Sequence, residues 1–225
     1  MPLRGSAFLA IWHDIRADAE PEYNLWHTRE HMPERVGIPG FLVGRRYVNW
    51  DLSLHRYFTL YEGEHPETFR SPAYIERLNN PTPWSNRMQP AFLNFVRGAC
   101  RTTASVGMGI GGALLTARLH MERGAASEPG RLRESLNAIL DLPGAVGAHY
   151  GAAALDITSV KTRETELRKQ SDSASFDGVL MVEAIGRREI DGLADRIASI
   201  AGTLPGLNRI DAEVYELAYM LTGGE

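Results

Sequence analysis

The sequence predicts an α+β protein built from two tandem β-α-β-β-α-β repeats, and three observations support this. Strand-like and helix-like segments follow this order twice along the 225 residues. An Ile/Leu-Pro-Gly turn precedes the second strand of each half, at residues 38–40 and 142–144. A glycine-rich join, residues 107–112, lies between the halves. We therefore predict one repeat over residues 1–106 and another over residues 107–225, because two such units can each bury a sheet face.

The elements of the first half follow from periodicity and from the positions of proline and glycine. Residues 6–15 are apolar and contain neither, which predicts a buried strand. Residues 22–32 also lack both, which permits a helix that Pro33 then ends. The other predicted elements are strands at 41–49 and 55–62, a helix at 66–79 ended by Pro81 and Pro83, and a strand at 91–96.

The second half repeats the order. A strand at 113–121 is followed by a helix at 130–142 with a stripe of Leu and Ile, and then by strands at 146–157 and 176–185, a helix at 189–204 and a strand at 211–221. The polar segment 161–175 is expected to be a solvated loop, with a lid over a ligand site as the alternative. The join at 107–112 approximates GxGxxG, but a strand follows it, which favours a flexible join over a phosphate site.

Composition narrows the function classes. A net charge of −4 and a pI near 6.0 give no general reason to bind a polyanion, so we expect no nucleic-acid partner. The single cysteine, Cys100, excludes an intrachain disulfide framework and a cysteine-rich zinc site. No membrane span or signal-type segment is recognised, so we expect a cytoplasmic protein with a small-molecule substrate and no membrane partner.

The densest set of reactive side chains lies in residues 22–41. His27 and His31 are spaced i, i+4, so a helix presents both imidazoles on one face. With Glu30 they match the pattern HxxEH, which binds zinc in some peptidases. A catalytic zinc needs a third protein ligand, and no second motif supplies one. We therefore expect no metal, and assign Glu30, His27 and His31 to acid–base catalysis at physiological pH.

Other residues are candidates for the walls of the same site because they are aromatic or polar and lie at strand ends, on strands or near turns. For each, a purely structural role is the alternative. The predicted substrate-binding residues are Trp12, His13, Trp26, Arg45, Tyr47, Tyr61 and Trp84.

The order Trp26-x-x-x-Glu30-His31-x-Pro33, followed by a Pro-Gly-Phe turn into an arginine-containing strand, resembles the EthD-like branch of the dimeric α+β barrel superfamily. This resemblance covers residues 6–97, and over 113–221 it is one of architecture only. It implies ferredoxin-like units whose antiparallel sheets pair into an α+β barrel. The second half lacks the signature, since residues 131–141 contain no histidine. One site per chain is therefore expected.

The resemblance implies proton transfer on a small aromatic or unsaturated compound, although the superfamily contains several chemistries. We expect a cofactor-independent isomerase or lyase, with His31 as the leading proton-transfer residue and His27 as its partner. Arg45, Tyr47 and Tyr61 would orient the substrate or stabilise an enolate-like intermediate. The alternatives are a haem- or metal-dependent enzyme that uses a histidine ligand, and a non-catalytic small-molecule-binding barrel. A homodimer is a further expectation.

Overall fold

A computed structural model of the chain describes residues 3–122, 129–158, 161–168, 171–173 and 176–223. These residues form two compact units that are interleaved in sequence. The first unit consists of Gly5–Ala99 together with the described residues of 154–174 and 218–225. The second unit consists of Cys100–Ala153 and the described residues of 175–217, with residues 3–4. The predicted division between residues 106 and 107 stays a prediction.

The first unit has the element order β-α-β-β-α-β. Its elements are β1 (Ala7–Ile15), α1 (Glu20–Trp26), a π-turn (His27–His31), α2 (Met32–Val36), β2 (Phe41–Val48), β3 (Tyr57–Gly63), α3 (Pro72–Asn79), α4 (Pro83–Met88) and the beginning of β4 (Phe92–Gly107). Strand β3 pairs with β1 and with β2, both antiparallel. The helices pack on one face of this sheet through two clusters that are rich in aromatic side chains.

The second unit repeats the order with the end of β4, β5 (Ala113–Met121), α5 (Pro129–Leu140), β6 (Ala145–Ala153), β8 (Gly178–Ala184), α8 (Arg187–Ala201) and most of β9 (Leu207–Thr222). Three short elements stand between β6 and β8: α6 (Leu155–Thr158), α7 (Arg163–Leu167) and β7 (Ser171–Ser173). All three belong to the first unit. The α+β class predicted from the sequence is therefore confirmed.

Strands β4 and β9 each contribute to both units. Within the first unit the hydrogen-bonded order is β7-β4-β1-β3-β2-β9, and within the second it is β9-β5-β8-β6-β4. The pairings in the second unit are antiparallel, and α5 and α8 cover one face of its sheet with leucine and isoleucine. The hydrophobic cluster beneath these two helices is thus almost entirely aliphatic.

The predicted Pro-Gly turns form as expected. Gly40 has φ +90° and Gly144 has φ +96°, which is the left-handed conformation that glycine tolerates best. In each turn the residue after glycine donates its backbone N–H to the carbonyl before proline, at 3.0 Å. A third copy, which the sequence analysis missed, connects α8 to β9, where Gly206 has φ +71°. Each turn carries the chain from a helix into a strand.

Several predicted boundaries are wrong. Strand β4 extends to Gly107 rather than to residue 96, and β6 ends at Ala153, with the helical α6 following. Pro83 begins α4 instead of only ending α3, because proline lacks only an N–H that the first helical turn leaves unpaired. The expected loop at 161–175 contains α7 and β7; its residues 169–170 and 174–175 lie outside the described part of the chain.

Within the ranges that the structure describes, no helix is long and apolar enough to cross a membrane.

Candidate functional site

The helix that carries the predicted catalytic residues continues beyond its predicted end. A π-turn at His27–His31 joins α1 to α2, and the Met32 backbone N–H donates to the His27 carbonyl. Pro33 stands in the first turn of α2, where its missing N–H is tolerated, so the helix runs on to Val36. The prediction that Pro33 ends the helix is wrong. Single π-turns are frequent at functional sites.

A cavity within the first unit is lined by three histidines. His27 and His31 reach it from the π-turn, and His13 reaches it from β1. Strand alternation places Thr59 and Tyr61 of β3 in the lining as well. The cavity leaves about 50 Å³ for the centres of water-sized molecules, within about 680 Å³ of atom-free space that includes its opening to solvent. This exceeds the roughly 10–15 Å³ that a cavity needs to hold one water.

The histidines stand against aromatic rings. The His27 and His31 ring centroids are 5.5 Å apart, and the Trp26 ring lies 4.2 Å from His31 at an interplanar angle of 31°. Tyr23 lies 5.4 Å from His27, and its hydroxyl forms a 2.8 Å hydrogen bond with Nε2 of His13. Trp26 therefore positions His31 from behind, while Tyr23 fixes His13.

All three histidines are neutral at physiological pH. Burial lowers the pKa of each well below the ordinary 6.5, and neighbouring positive charges lower it further. The main charge is Arg46 for His13 and His27, and Arg35 for His31. A neutral imidazole has a free lone pair that can accept a proton.

Several polar atoms around the cavity lack a hydrogen-bond partner among the described residues. They are the Nδ1 atoms of the three histidines, the hydroxyls of Thr59 and Tyr61, and Nη1 of Arg35. Buried polar groups are normally paired, and an unpaired group costs about 1–3 kcal/mol. Such a concentration of unpaired groups around one cavity is typical of a binding site.

Another part of the cavity wall is built around a buried carboxylate. Glu164 accepts hydrogen bonds from Nη2 of Arg35 and, at 3.2 Å, from Nη2 of Arg168. Arg168 also donates from Nε to Gln89 at 2.7 Å. Burial is the largest single influence on Arg35 and lowers its pKa, but Glu164 together with Tyr74, Glu34 and Tyr61 outweighs burial, and the net pKa is raised. Burial lowers the pKa of Arg168 to about 10, so both guanidinium groups stay charged at neutral pH.

The structure brings together some of the predicted site residues and separates others. His13, His27, His31 and Tyr61 line the cavity, and Trp26 stacks behind His31. Glu30 does not line it, because its carboxylate accepts a 2.5 Å hydrogen bond from Thr82. Trp84 donates to Glu22 at 3.0 Å and also lies outside the lining.

Trp12, Arg45 and Tyr47 lie on the opposite face of the sheet. The register pairs Trp12 and Tyr47 with Phe58, and Arg45 with Leu60, whereas the cavity side carries Thr59 and Tyr61. On that opposite face Arg45 forms a buried ion pair with Glu62. Because one residue along a strand changes the face, Arg46 and not Arg45 is on the histidine side, 4.6 Å above the Tyr23 ring.

The sequence analysis missed Arg35, Glu164, Arg168 and Gln89. A signal for Arg35 was present, because positions 27, 31 and 35 follow one face of a helix. The i, i+4 pair Glu164 and Arg168 was also visible, but segment 161–175 was interpreted as solvated. Only the tertiary structure brings this segment to the histidines.

Over the described ranges, no group of three or more His, Cys, Asp or Glu side chains is arranged to hold a metal ion. The HxxEH pattern does not form such a group, since Glu30 is held by Thr82.

Comparisons with known proteins identify the fold. No protein-family model matches the sequence, and no curated protein matches it. Among solved structures, an anthrone oxidase-like protein is similar over 97% of this chain and 93% of its own, with 8% identity and a TM-score of 0.60. Chlorite dismutase from Candidatus Nitrospira defluvii is similar over 96% of this chain and 92% of its own, with 9% identity and a TM-score of 0.56.

This chain has the dimeric α+β barrel fold. At such low identity the likeness concerns the fold alone. The ferredoxin-like architecture expected from the sequence is confirmed at this level. The EthD-like branch and an origin by tandem duplication stay predictions.

Proposed function

We propose that the chain is an enzyme that transfers a proton on a small aromatic or unsaturated substrate, with His31 as the leading general base and His27 as its partner. The observation that carries the proposal is the set of neutral histidines with unpartnered Nδ1 atoms around one cavity. A general base must be unprotonated before it accepts a proton, and the lowered pKa values keep these imidazoles unprotonated at pH 7.

The surrounding residues support the later part of the step. Burial raises the pKa of Tyr61, so its hydroxyl keeps its proton and can donate to an oxygen that becomes negative. Trp26, Phe92 and Phe95 supply apolar surface around the histidines. Proton abstraction beside a carbonyl or from a phenol would thus be assisted by a base on one side and a hydroxyl donor on the other.

The reaction that follows proton removal separates two versions of the proposal. The isomerase or lyase expected from the sequence returns the proton elsewhere or expels a leaving group. The neighbour named as an anthrone oxidase-like protein suggests a second version, in which the deprotonated substrate is oxidised. We take O₂ as the oxidant in this version. Both versions need the same base and need no metal from this chain.

Haem was the alternative implied by the resemblance, and the cavity does not fit it. The cavity leaves only about 50 Å³ for the centres of water-sized molecules, which is too little for a macrocycle, and the ion pairs of Glu164 hold one of its walls. We therefore derive no step through haem. An absorption spectrum of the purified protein tests this point independently, because a Soret band would contradict it.

The proposal is tested by deuterium exchange. Enolisable aromatic ketones are incubated with the protein in D₂O, and loss of the signal of the C–H beside the carbonyl is followed by NMR with and without O₂. We expect catalysed exchange that His31→Ala lowers by about 10²–10⁴-fold, the usual contribution of a general base. O₂ uptake would identify the oxidative version, and exchange without uptake the isomerase or lyase.

The matched control is His120→Ala. His120 belongs to the second unit and bonds to Asp211 at 2.9 Å, outside the cavity lining. The His120→Ala variant should catalyse deuterium exchange on the substrate as fast as the wild type. Full activity of His31→Ala, or equal losses in the two variants, would refute the assignment. A homodimer stays a separate prediction, which sedimentation equilibrium would check.

A further inference from the structure

Neighbouring residues occupy one ring nitrogen of His13 and leave the other unused. The ring stacks on Tyr57 at a centroid distance of 5.4 Å, and the Phe92 ring lies 4.8 Å away. Nε2 forms the 2.8 Å hydrogen bond with the Tyr23 hydroxyl. Nδ1 is buried and has no hydrogen-bond partner among the described residues, although His13 lines the cavity. Nδ1 is therefore the ring nitrogen that is left for a bound molecule.

The Tyr23 hydroxyl determines which nitrogen of His13 carries the proton. Burial raises the pKa of Tyr23 to about 12, so the hydroxyl keeps its hydrogen at pH 7. If this hydroxyl donates, Nε2 accepts and the single proton of the neutral imidazole lies on Nδ1. If the hydroxyl accepted instead, its own hydrogen would be buried without an acceptor among the described residues. An unpaired buried hydroxyl costs about 1–3 kcal/mol, so the arrangement with Nδ1–H is the more stable one.

The hydrogen-bond donors come from the sheet, and the proposed bases come from the helix that packs on it. His27 and His31 reach the cavity from the helical π-turn, whereas His13 reaches it from β1. Thr59 and Tyr61, whose hydroxyls also lack partners among the described residues, stand on β3 and on the same face of the sheet as His13. A molecule in the cavity therefore meets the bases on its helix side and N–H and O–H donors on its sheet side.

Proton removal beside a carbonyl group needs such a donor, because the negative charge moves to the carbonyl oxygen. A donor that is already in place stabilises this charge without reorganisation, which is usually the largest single contribution to catalysis. The Tyr23 hydrogen bond and the Tyr57 stack hold the His13 ring in one orientation. Burial keeps the pKa of His13 low, so the imidazole stays neutral and gains no second proton at pH 7.

We propose that His13 is a catalytic residue of this site, whose Nδ1–H donates a hydrogen bond to the carbonyl oxygen of the substrate while His31 removes a proton from the adjacent carbon. The C–H bond breaks, its electron pair forms a C=C bond, and the carbonyl π pair moves to the oxygen held by His13. The substrate is then an enolisable carbonyl compound, and Tyr23 is a positioning residue that fixes the Nδ1–H tautomer. This inference rests on the proposed function, because it adds the donor to the same reaction.

The tautomer of His13 is tested without a substrate. Correlation of ¹⁵N and ¹H signals by NMR at pH 7, on protein with ¹⁵N-labelled histidine, identifies the protonated nitrogen of each ring, and loss of signals in His13→Asn assigns those of His13. We expect the proton on Nδ1. Tyr23→Phe removes the hydroxyl that fixes it and should populate both tautomers. The matched control is Tyr57→Phe, which removes a hydroxyl bonded to Glu20 at 2.6 Å and should keep the wild-type tautomer.

The catalytic role of His13 is tested by deuterium exchange into the methyl group of acetophenone in D₂O. His13→Leu removes the donor and should lower kcat by about 10²–10³-fold with little change in KM, because this hydrogen bond strengthens as charge develops. His13→Asn places an amide N–H on Cγ, the atom that bears Nδ1 in histidine, and should recover about tenfold of that loss. Tyr23→Phe should lower kcat by a smaller factor than His13→Leu, and Tyr57→Phe should match the wild type.

A proton on Nε2 of His13 in the wild type, or full exchange by His13→Leu, overturns the assignment. Equal kcat values for His13→Leu and His13→Asn overturn it as well, because the loss would then reflect packing. If His31→Ala loses exchange while His13→Leu keeps it, the proposed proton transfer stands without this donor. Full exchange by His31→Ala, or no exchange by the wild type, refutes the proposed function and with it the role of His13, whichever nitrogen carries the proton.

Discussion

The two units have the same order of elements but use the space beneath their helices differently. In the first unit the helix after the first strand carries His27, His31 and Arg35 against a polar cavity. In the second unit the corresponding helix, α5, fills its core with Leu132, Leu136 and Ile139. The comparison indicates that the side chains on this helix, and not the order of elements, determine whether it faces a polar cavity or an aliphatic cluster.

That difference has a cost in stability. Around its cavity the first unit buries imidazole, hydroxyl and guanidinium atoms that lack hydrogen-bond partners among the described residues, whereas the leucine and isoleucine side chains beneath α5 and α8 gain transfer free energy from their burial. Sites of function are commonly less stable than the scaffold around them. The following predictions test whether the two units differ in this way.

The largest expected effect is a loss of folding stability as the pH falls. The native pKa values of His13, His27 and His31 lie well below the 6.5 of the unfolded chain, so the unfolded state binds more protons once the pH falls below about 6.5. The free energy of unfolding should then fall by up to about 1.4 kcal/mol per pH unit for each histidine, and by up to about 4 kcal/mol per pH unit for all three together. The loss should end only when the pH reaches the native pKa values.

Urea unfolding at pH 7.5, 6.5 and 5.5 measures this slope. All four tryptophans precede residue 100, so fluorescence reports on the first unit, while circular dichroism reports on both. The double variant His27→Gln/His31→Gln should reduce the slope below pH 6.5 to about a third. An unchanged slope in that variant would show that other groups titrate.

The next largest effect is expected from truncating the aliphatic core. Leu136→Ala removes a side chain that is 1% exposed in the second unit and should cost about 2–5 kcal/mol, because the surrounding core cannot collapse fully. Ile75→Ala, at the edge of the existing cavity, should cost about 1 kcal/mol. Both are measured by urea unfolding at pH 7.5. Equal costs would contradict the view that side chains pack less tightly around the cavity of the first unit than in the aliphatic cluster of the second unit.

The smallest effect concerns the turns that the two units share. Gly40→Ala and Gly144→Ala each place a Cβ in the left-handed region, at a cost of about 1–2 kcal/mol. The larger cost is expected at Gly144, where the new atom would lie 2.9 Å from Cβ of Glu189, while at Gly40 it meets the rotatable Oγ1 of Thr68 at 2.8 Å. Thermal unfolding gives both values.

Gly192→Ala is the control for the turn variants. Gly192 lies inside α8, and a Cβ there would meet nothing within 4 Å. Alanine is the better helix former, so this substitution should stabilise the protein by about 0.5–1 kcal/mol. A destabilising effect at Gly192, or none at Gly40 and Gly144, would show that the backbone conformation is not the cause.

Local signals in the sequence were sufficient for the fold class and for the centre of the site. Periodicity and the Pro-Gly turns determined the order of strands and helices, and the i, i+4 spacing identified His27 and His31. These features depend on neighbouring residues only, which is why one sequence sufficed. The end of β4 was missed because the threonine- and serine-rich residues after Arg101 lack a strong apolar pattern.

The rest of the site depends on tertiary contacts. Which face Arg45 or Arg46 occupies is decided by the register with β3, and a shift of one residue reverses the answer. Glu164 is 129 positions from Arg35, and no local pattern links them. Segment 161–168 was interpreted as solvated because composition cannot distinguish charges paired in a buried wall, as those of Glu164 and Arg168 are, from charges exposed to solvent.

The division of β9 between the units has a consequence for biosynthesis. Its last residues, from Ala218 onwards, belong to the first unit, and the Gly223 backbone N–H donates to the Leu42 carbonyl at 2.8 Å. During translation, this edge of β2 therefore stays unpaired until residues 218–223 have left the ribosome. An exposed strand edge is prone to pair with other chains, so the nascent first half is the stage at which a chaperone would be needed most.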